Sequence, residues 1–164
     1  MPGHLLNLAV PVERGSGAQA PLTAYQAACR MAGSLAFHGD IASWPDESIA
    51  LARRMTDAFK SLRHLVTQDF HALTPQPVRE DEWDAVQFCA PDGRDAAVMA
   101  YSGLSGGGET VLRLHGLLAG AHYRVEPVLE DGAPASATGE SLMTDGLRVA
   151  LPAQSAAIYR LTTE

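Results

Sequence analysis

HGDIASWPDESIALARRMTDAFKSLRHLVTQDF, residues 38–70, holds the most readable helical pattern in the chain and divides it into two unlike parts. Leu51, Met55, Ala58, Phe59, Leu62, Leu65 and Val66 recur at three- and four-residue spacing, one stripe of a helix over about four turns. Arg53, Arg54, Asp57, Lys60, Arg63 and His64 form its wet face, with Arg53 four residues before Asp57. Ser43-Trp44-Pro45-Asp46 supplies a start signal. The Ser43 hydroxyl can accept an orphan N–H, Asp46 can reach back to complete a capping box, and Pro45 lacks the donor that a first turn would waste. Asp46 and Glu47 also suit the positive end of the helix dipole.

Ahead of this stretch, His4 to Val10 (HLLNLAV) is a nearly continuous apolar run between Pro2-Gly3 and Pro11, the pattern of a strand buried on both faces. Such a strand needs parallel neighbours, and none precedes it in the sequence. Glu13 to Ala20 is a small-residue loop, and Thr23 with Gln26 three residues on opens a short helix that ends near Gly33. GSLAFHGDIAS, residues 33–43, carries the chain onward as a connection.

Behind it, Pro75 and Pro77 forbid helix, and from Trp83 the period becomes two. Val86 and Phe88 share a face, Leu112 and Leu114 oppose Arg113 and His115, Tyr123 and Val125 oppose Arg124 and Glu126, and Leu147, Val149 and Leu151 alternate with Arg148 and Ala150. Pro91-Asp92-Gly93, Gly106 to Gly108, Asp131-Gly132 and Asp145-Gly146 punctuate these runs as turns. Six to eight short strands in an antiparallel β-sandwich are expected. The fold class is therefore α+β: a short N-terminal strand and two helices, followed by the sandwich.

A net charge of -7 and a pI near 5.3 provide no basic stripe for phosphates, so nucleic acid is disfavoured as a partner. The run from Leu5 to Val10 is too short to span a bilayer and no basic n-region precedes it, so neither a membrane segment nor a signal peptide is visible and a cytoplasmic location is expected. Cys29 and Cys89 show no metal or redox spacing and read as buried free thiols. No cofactor motif occurs, and Gly106 to Gly108 lacks the following helix of a phosphate loop.

Several phrases in order resemble the C-terminal end of the melibiase-type α-galactosidases, glycoside hydrolase family 36. They are RMAGSLAFHGDIASWPDE (30–47), the long helix, QDF (68–70), EWDAVQF (82–88), LRLHGLLAGAHYRV (112–125) and SAAIYRL (155–161). The resemblance implies that residues 1–76 are the end of a (β/α)8 barrel with bracing helices, His4 to Val10 being its last strand, and that 77–164 are the C-terminal sandwich. It also implies a retaining hydrolase acting on terminal α-galactosides with two carboxylates about 5 to 5.5 Å apart. Both family carboxylates are aspartates in motifs on earlier barrel strands, and neither motif occurs here. No catalytic residue is therefore assigned within this chain, and the α-galactoside partner would be held by a barrel that lies outside it. The alternative is a carbohydrate-binding or scaffold sandwich, although Trp83, Phe88, Tyr101, Tyr123 and Tyr159 alternate with polar residues as core residues do.

Substrate-binding candidates are His4 and Asn7 on the N-terminal strand, with Glu13 and Arg14 in the loop after it, and Asp40 and Trp44 at the glycine bend before the long helix. Asp40 beside Gly39 more commonly bonds its own backbone, and Trp44 at a helix start more commonly anchors packing. Glu80, Asp81, Glu82 and Asp84 could suggest a cation, but as an acidic crossing they read as solvated, and no metal site is assigned. With the barrel missing, the strand and the first helix would keep uncovered apolar surface. Self-association, as a homo-oligomer, or an N-terminal third that exchanges its amide protons readily is the expected behaviour of the purified chain. A monomer with uniform hydrogen-exchange protection would count against it.

Overall fold

A computed structural model describes residues 9–11, 23–38, 40–129 and 132–164. β1 (Ala9–Pro11) and β2 (Ala36–His38) pair in parallel, Ala9 opposite Ala36 and Pro11 opposite His38. α1 (Ala24–Ala28) falls between them in sequence. The N-terminal strand is thus not alone, because the connection after Gly33 contains a second strand that three residues were too few to reveal. Residues 4–8 of the expected strand, with His4 and Asn7, lie outside the described residues. α1 starts as its capping box dictates: Gln26 N donates to Thr23 Oγ1 and Thr23 N to Gln26 Oε1, both at 3.2 Å. It is shorter than expected, continuing only as turns to Met31, and Cys29 at its end is exposed rather than buried.

α2 (Asp46–Leu62) begins differently from its expected cap. Ile41–Ser43 is a single 3₁₀ turn, and the Ser43 hydroxyl donates to the Asp40 carbonyl at 2.8 Å instead of accepting from the helix. Pro45, extended at φ -57° and ψ 147°, becomes the cap residue and its carbonyl accepts from Ser48 and Ile49. No side chain caps this end, so the first-turn Asp46 and Glu47 are its remaining N-terminal complement. The stripe holds: Met55, Ala58, Leu62, Leu65 and Val66 are buried, the last two in the turns after the helix. No described helix is long and apolar enough to cross a membrane.

Eight antiparallel strands follow: β3 (Asp69–Ala72), β4 (Asp84–Cys89), β5 (Asp95–Tyr101), β6 (Gly108–Leu112), β7 (His122–Pro127), β8 (Ala135–Thr138), β9 (Leu147–Leu151) and β10 (Ala156–Thr163). α3 (Gly139–Thr144) interrupts them after β8, its cap Thr138 accepting from Ser141 N at 3.2 Å. Six strands form one sheet in the order β3-β4-β5-β10-β7-β8, and β6 pairs with β9 in a second sheet. The six-stranded sheet is the middle of three layers. Phe88, Ala97, Met99 and Ile158 on one face share a core with Met31, Met55, Leu62 and Leu65. Ala85, Ala96, Val98, Ala100 and Leu161 on the other share a core with Leu112, Val149 and Leu151 of the two-stranded sheet. The stripe of α2 therefore meets the central strands and not merely an edge, and each fully buried Leu or Met on it contributes about 1.5–3 kcal/mol.

Two polar devices join the layers. Asp95 accepts from Arg160 Nη2 at 2.9 Å and Nε at 3.3 Å, and lies 2.9 Å from His64 Nε2 just beyond α2. The carboxylate holds the Arg160 guanidinium more firmly protonated than usual. Gln87, fully buried in β4, donates from Nε2 to the His115 carbonyl at 2.7 Å and accepts at Oε1 from His115 N at 2.9 Å. Gln87→Leu keeps the bulk but orphans both backbone groups, and is expected to lower stability by about 2 kcal/mol in chemical denaturation. An unchanged midpoint would show that His115 finds other partners.

Candidate functional site

Asp40 and Trp44 bracket the 3₁₀ turn but face different surroundings. Asp40 is exposed, and its carbonyl, not its carboxylate, makes the local bonds, accepting from Ser43 N at 3.1 Å and from the Ser43 hydroxyl. Trp44 is 7% exposed, edge-on to Phe37 with ring centroids 5.9 Å apart. Its indole Nε1 is buried without a partner among the described residues. Phe37, Ile41, Trp44, Ile49, Ala52 and Thr56 line a groove of about 480 Å³ along α2, together with Arg53, Asp57 and Lys60. Ile41 remains 44% exposed beside it. His4, Asn7, Glu13 and Arg14 lie outside the described residues.

The acidic crossing is mostly self-satisfied. Arg79 Nε lies 3.0 Å from Asp81 Oδ1 and 3.4 Å from Glu82 Oε1, and Glu82 Oε2 accepts from Val78 N at 2.8 Å. Among the described residues, no three His, Cys, Asp or Glu side chains gather at metal-ligating spacing. The sandwich aromatics sit inward or are held at their hydroxyls. Tyr123 is fully buried, donating to the Gly93 carbonyl and accepting from Leu118 N, and the Tyr101 hydroxyl donates to the Ala28 carbonyl at 3.0 Å. The exposed ring is Phe70 on β3, 57% exposed and 5.6 Å from Phe88.

One acid in the crossing is different. Asp84 opens β4 and lines a cleft of about 490 Å³ between α1, residues 77–84 and residues 101–104. Tyr25, Cys29, Val86, Tyr101 and Leu104 are among its walls. Asp84 is exposed at the head of β4 and makes no side-chain hydrogen bond or ion pair with a described residue, and the partial burial of its carboxyl against the cleft moves it above the usual range. Partial burial also pushes the Tyr25 hydroxyl up, and the Cys29 thiol, exposed at the residue level but partly enclosed by the cleft wall, goes up with it against the nearby Arg30 charge. A thiol held protonated is a poor nucleophile, so the group suits binding rather than covalent chemistry. Sequence spacing hides it, since Tyr25 and Cys29 come from one helix and Asp84 from a run whose neighbours are solvated.

Residues 83–161 match the family profile described as the glycosyl hydrolase family 36 C-terminal domain, which takes in almost all of β4 through β10. The chain resembles the solved family 36 α-galactosidase AgaB of Geobacillus stearothermophilus at 24% identity and a TM-score of 0.72, over 96% of this chain and 21% of that one. An AgaA variant from the same organism, solved in complex with stachyose, aligns at 19% identity and a TM-score of 0.78 over 96% and 22%. The α-galactosidase of Lactobacillus brevis aligns at 16% and 0.78 over 99% and 23%. At these identities the likeness establishes the fold. The chain spans about a fifth of the length of these enzymes. No curated protein sequence matches it.

The cleft carboxyl has a consequence for stability. A carboxyl whose folded pKa is raised holds its proton more tightly in the folded state, so its contribution is full below the unfolded pKa and is lost as pH rises through the folded one. At pH 7 the charged Asp84 therefore opposes folding. Asp84→Asn is expected to keep or raise the melting temperature at pH 7, with the difference shrinking toward pH 4. A clear drop in melting temperature would reveal a stabilising partner for the carboxylate.

Proposed function

We propose, from the match of residues 83–161 to the family 36 C-terminal domain profile, that the chain is the C-terminal portion of an α-galactosidase-like retaining hydrolase. In this reading it supports a catalytic barrel and does no chemistry itself. Residues 1–76 are the end of the barrel with its bracing helices, and 77–164 are the sandwich that closes on them.

The observation that carries the reading is the parallel pair of β1 and β2 in front of an otherwise antiparallel protein. A parallel pair of three residues each is too small to stand alone, since parallel sheets are stable when several strands are covered on both faces. With α1 between them, the two strands have the form of the last repeat of a βα series, so β2 rather than β1 would be the final barrel strand. The groove along α2 supports the same reading. The apolar part of its lining, Phe37, Ile41, Ile49 and Ala52, and the Trp44 Nε1 without a partner among the described residues suit a surface that further barrel would cover.

The two carboxylates of a retaining mechanism would come from earlier barrel strands, one attacking the anomeric carbon and the other serving as acid and then base. The α-galactoside partner would be held there as well. Neither Cys29 nor Cys89 is in a disulfide, which suits a reducing compartment such as the cytoplasm. The purified 164-residue chain is expected to show no turnover of an aryl α-galactoside above the uncatalysed rate, and a chain continuing upstream through a barrel to be active. Hydrolysis by the 164 residues alone would overturn the proposal.

A further inference from the structure

The six-stranded sheet ends on one side at β3, whose outer edge pairs with no other described strand. Two bonds show which of its backbone groups face outward. Leu73 N donates to the Ala85 carbonyl at 2.8 Å, in the register that sets Asp69 opposite Cys89 and His71 opposite Gln87. Ala90 N donates to the Asp95 carbonyl at 2.8 Å, in the register that sets Phe88 opposite Ala97. Bonded pairs recur at every second residue of an antiparallel ladder, so the odd-numbered residues of β3 bond to β4, while Val86 and Phe88 bond to β5. The N–H and C=O groups of Phe70 and Ala72 are left pointing away from the sheet.

The side chains make this edge adhesive. Phe70 is 57% exposed, with one side of its ring against Phe88. Asp69 and Ala72 are exposed beside it, no lysine or proline guards the strand, and its register with β4 is unbroken. The opposite edge of the sheet, β8, offers instead the short side chains of ASAT, with the Ser136 hydroxyl donating to Glu164 at 3.2 Å.

An open edge accepts an extended strand, and here the charges say which one. Asp69 and His71 lie on one face of β3 and Phe70 on the other. When a second β3 runs antiparallel about a two-fold axis at Phe70, Asp69 of each copy stands opposite His71 of the other, an acceptor against a donor on both sides of the axis. The two Phe70 rings meet on the other face. Each Phe70 N–H donates to the other copy's Phe70 carbonyl, and each Ala72 N–H to the other copy's Gln68 carbonyl. Gln68 N, already bonded to the Leu65 carbonyl at 2.8 Å, is not needed. Moving the axis to His71 would set His71 against His71 and Asp69 against Leu73, losing both charge pairs.

We propose that β3 is a homodimer seam, in which two copies of this chain join their six-stranded sheets antiparallel about Phe70 and Asp69 of each copy meets His71 of the other. A strand of four residues buries less than the roughly 1,200–2,000 Å² of a stable interface, so the dimer is weak, with a Kd of about 0.1–1 mM. The seam belongs to the sandwich, and it is distinct from any association through the apolar surface of β1 and α1.

Sedimentation velocity of the 164-residue chain between about 20 µM and 2 mM is expected to show a monomer–dimer equilibrium. Ala72→Pro removes an outward N–H that the folded monomer leaves unused, and Phe70→Lys sets charge against charge at the axis; each is expected to weaken the dimer about tenfold or more. Asp69→Lys is expected to weaken it too, and adding His71→Glu to restore it, since the swapped charges again face each other across the axis. Melting curves run alongside separate these effects from unfolding. If Phe70→Lys fails to fold, Ala72→Pro and the charge swap decide the matter. A chain still monomeric at about 2 mM, a dimer that persists in Ala72→Pro as it would if the N-terminal surface joined the copies, or a double variant no better than Asp69→Lys would each overturn the proposal. Hydrolysis plays no part in the readout, so failure here leaves the barrel proposal standing, and failure of the barrel proposal leaves this one.

Discussion

Everything in the molecule is arranged around the burial of β5 on both faces. DAAVMAY places Ala97 and Met99 toward the helices and Ala96, Val98 and Ala100 toward the two-stranded sheet, with each of these residues fully buried. A strand with one wet face would alternate with polar residues, and this one has none between its ends. The alanines matter by their size. They let the layers close on the strand at short range, so that the larger Met55, Leu62 and Phe88 on one side and Leu112, Tyr123 and Leu161 on the other fill the remaining space. Enlarging an alanine here would push two cores apart at once.

That double burial gives α2 its position. Its stripe lies on the central strands, and the Asp95, Arg160 and His64 cluster fastens the chain just past the helix to the two strands beneath it. The helix thus belongs to the same body as the sheet, while its flank toward Phe37 and Ile41 is left as an open groove of mixed lining. One element turns a packed face to the sandwich and an open one toward Phe37 and Ile41.

The sequence discloses the parts whose physics is local or strongly periodic. Leu51 to Val66 repeats over enough turns to be unmistakable, the Thr23 and Gln26 pair closes within one turn, and β7 and β9 alternate cleanly because one face of each meets a core. Strands β2, β3 and β8 escape notice for a shared reason. They are three or four residues long, and the edge strands β3 and β8 show mostly exposed or half-buried residues such as ASAT, which carry no alternation. α3 is too short for a helical period and opens on glycine. The cap at Ser43 fails because Asp40 to Ser43 closes its own turn first, a competition between two local hydrogen bonds that composition does not rank. The Asp84 cleft was illegible for a different reason. Its walls come from three separate segments that tertiary packing brings together, which no spacing within one segment records.

Gln87 and His115 carry a further meaning. The amide side chain makes the same two bonds, one donated and one accepted, that a neighbouring strand would make with its peptide group. It works as a single rung of β-ladder supplied by a side chain, and it reads the backbone of residue 115 rather than the imidazole. The segment after β6 is therefore held in register by something indifferent to which side chains it displays. Arg113 and His115 are exposed, yet Arg113 Nε donates to the Thr144 carbonyl at 3.0 Å and the His115 ring stacks on His71 with centroids 5.2 Å apart. Exchanging either would give up that contact while the rung supplied by Gln87 kept the chain beneath in place.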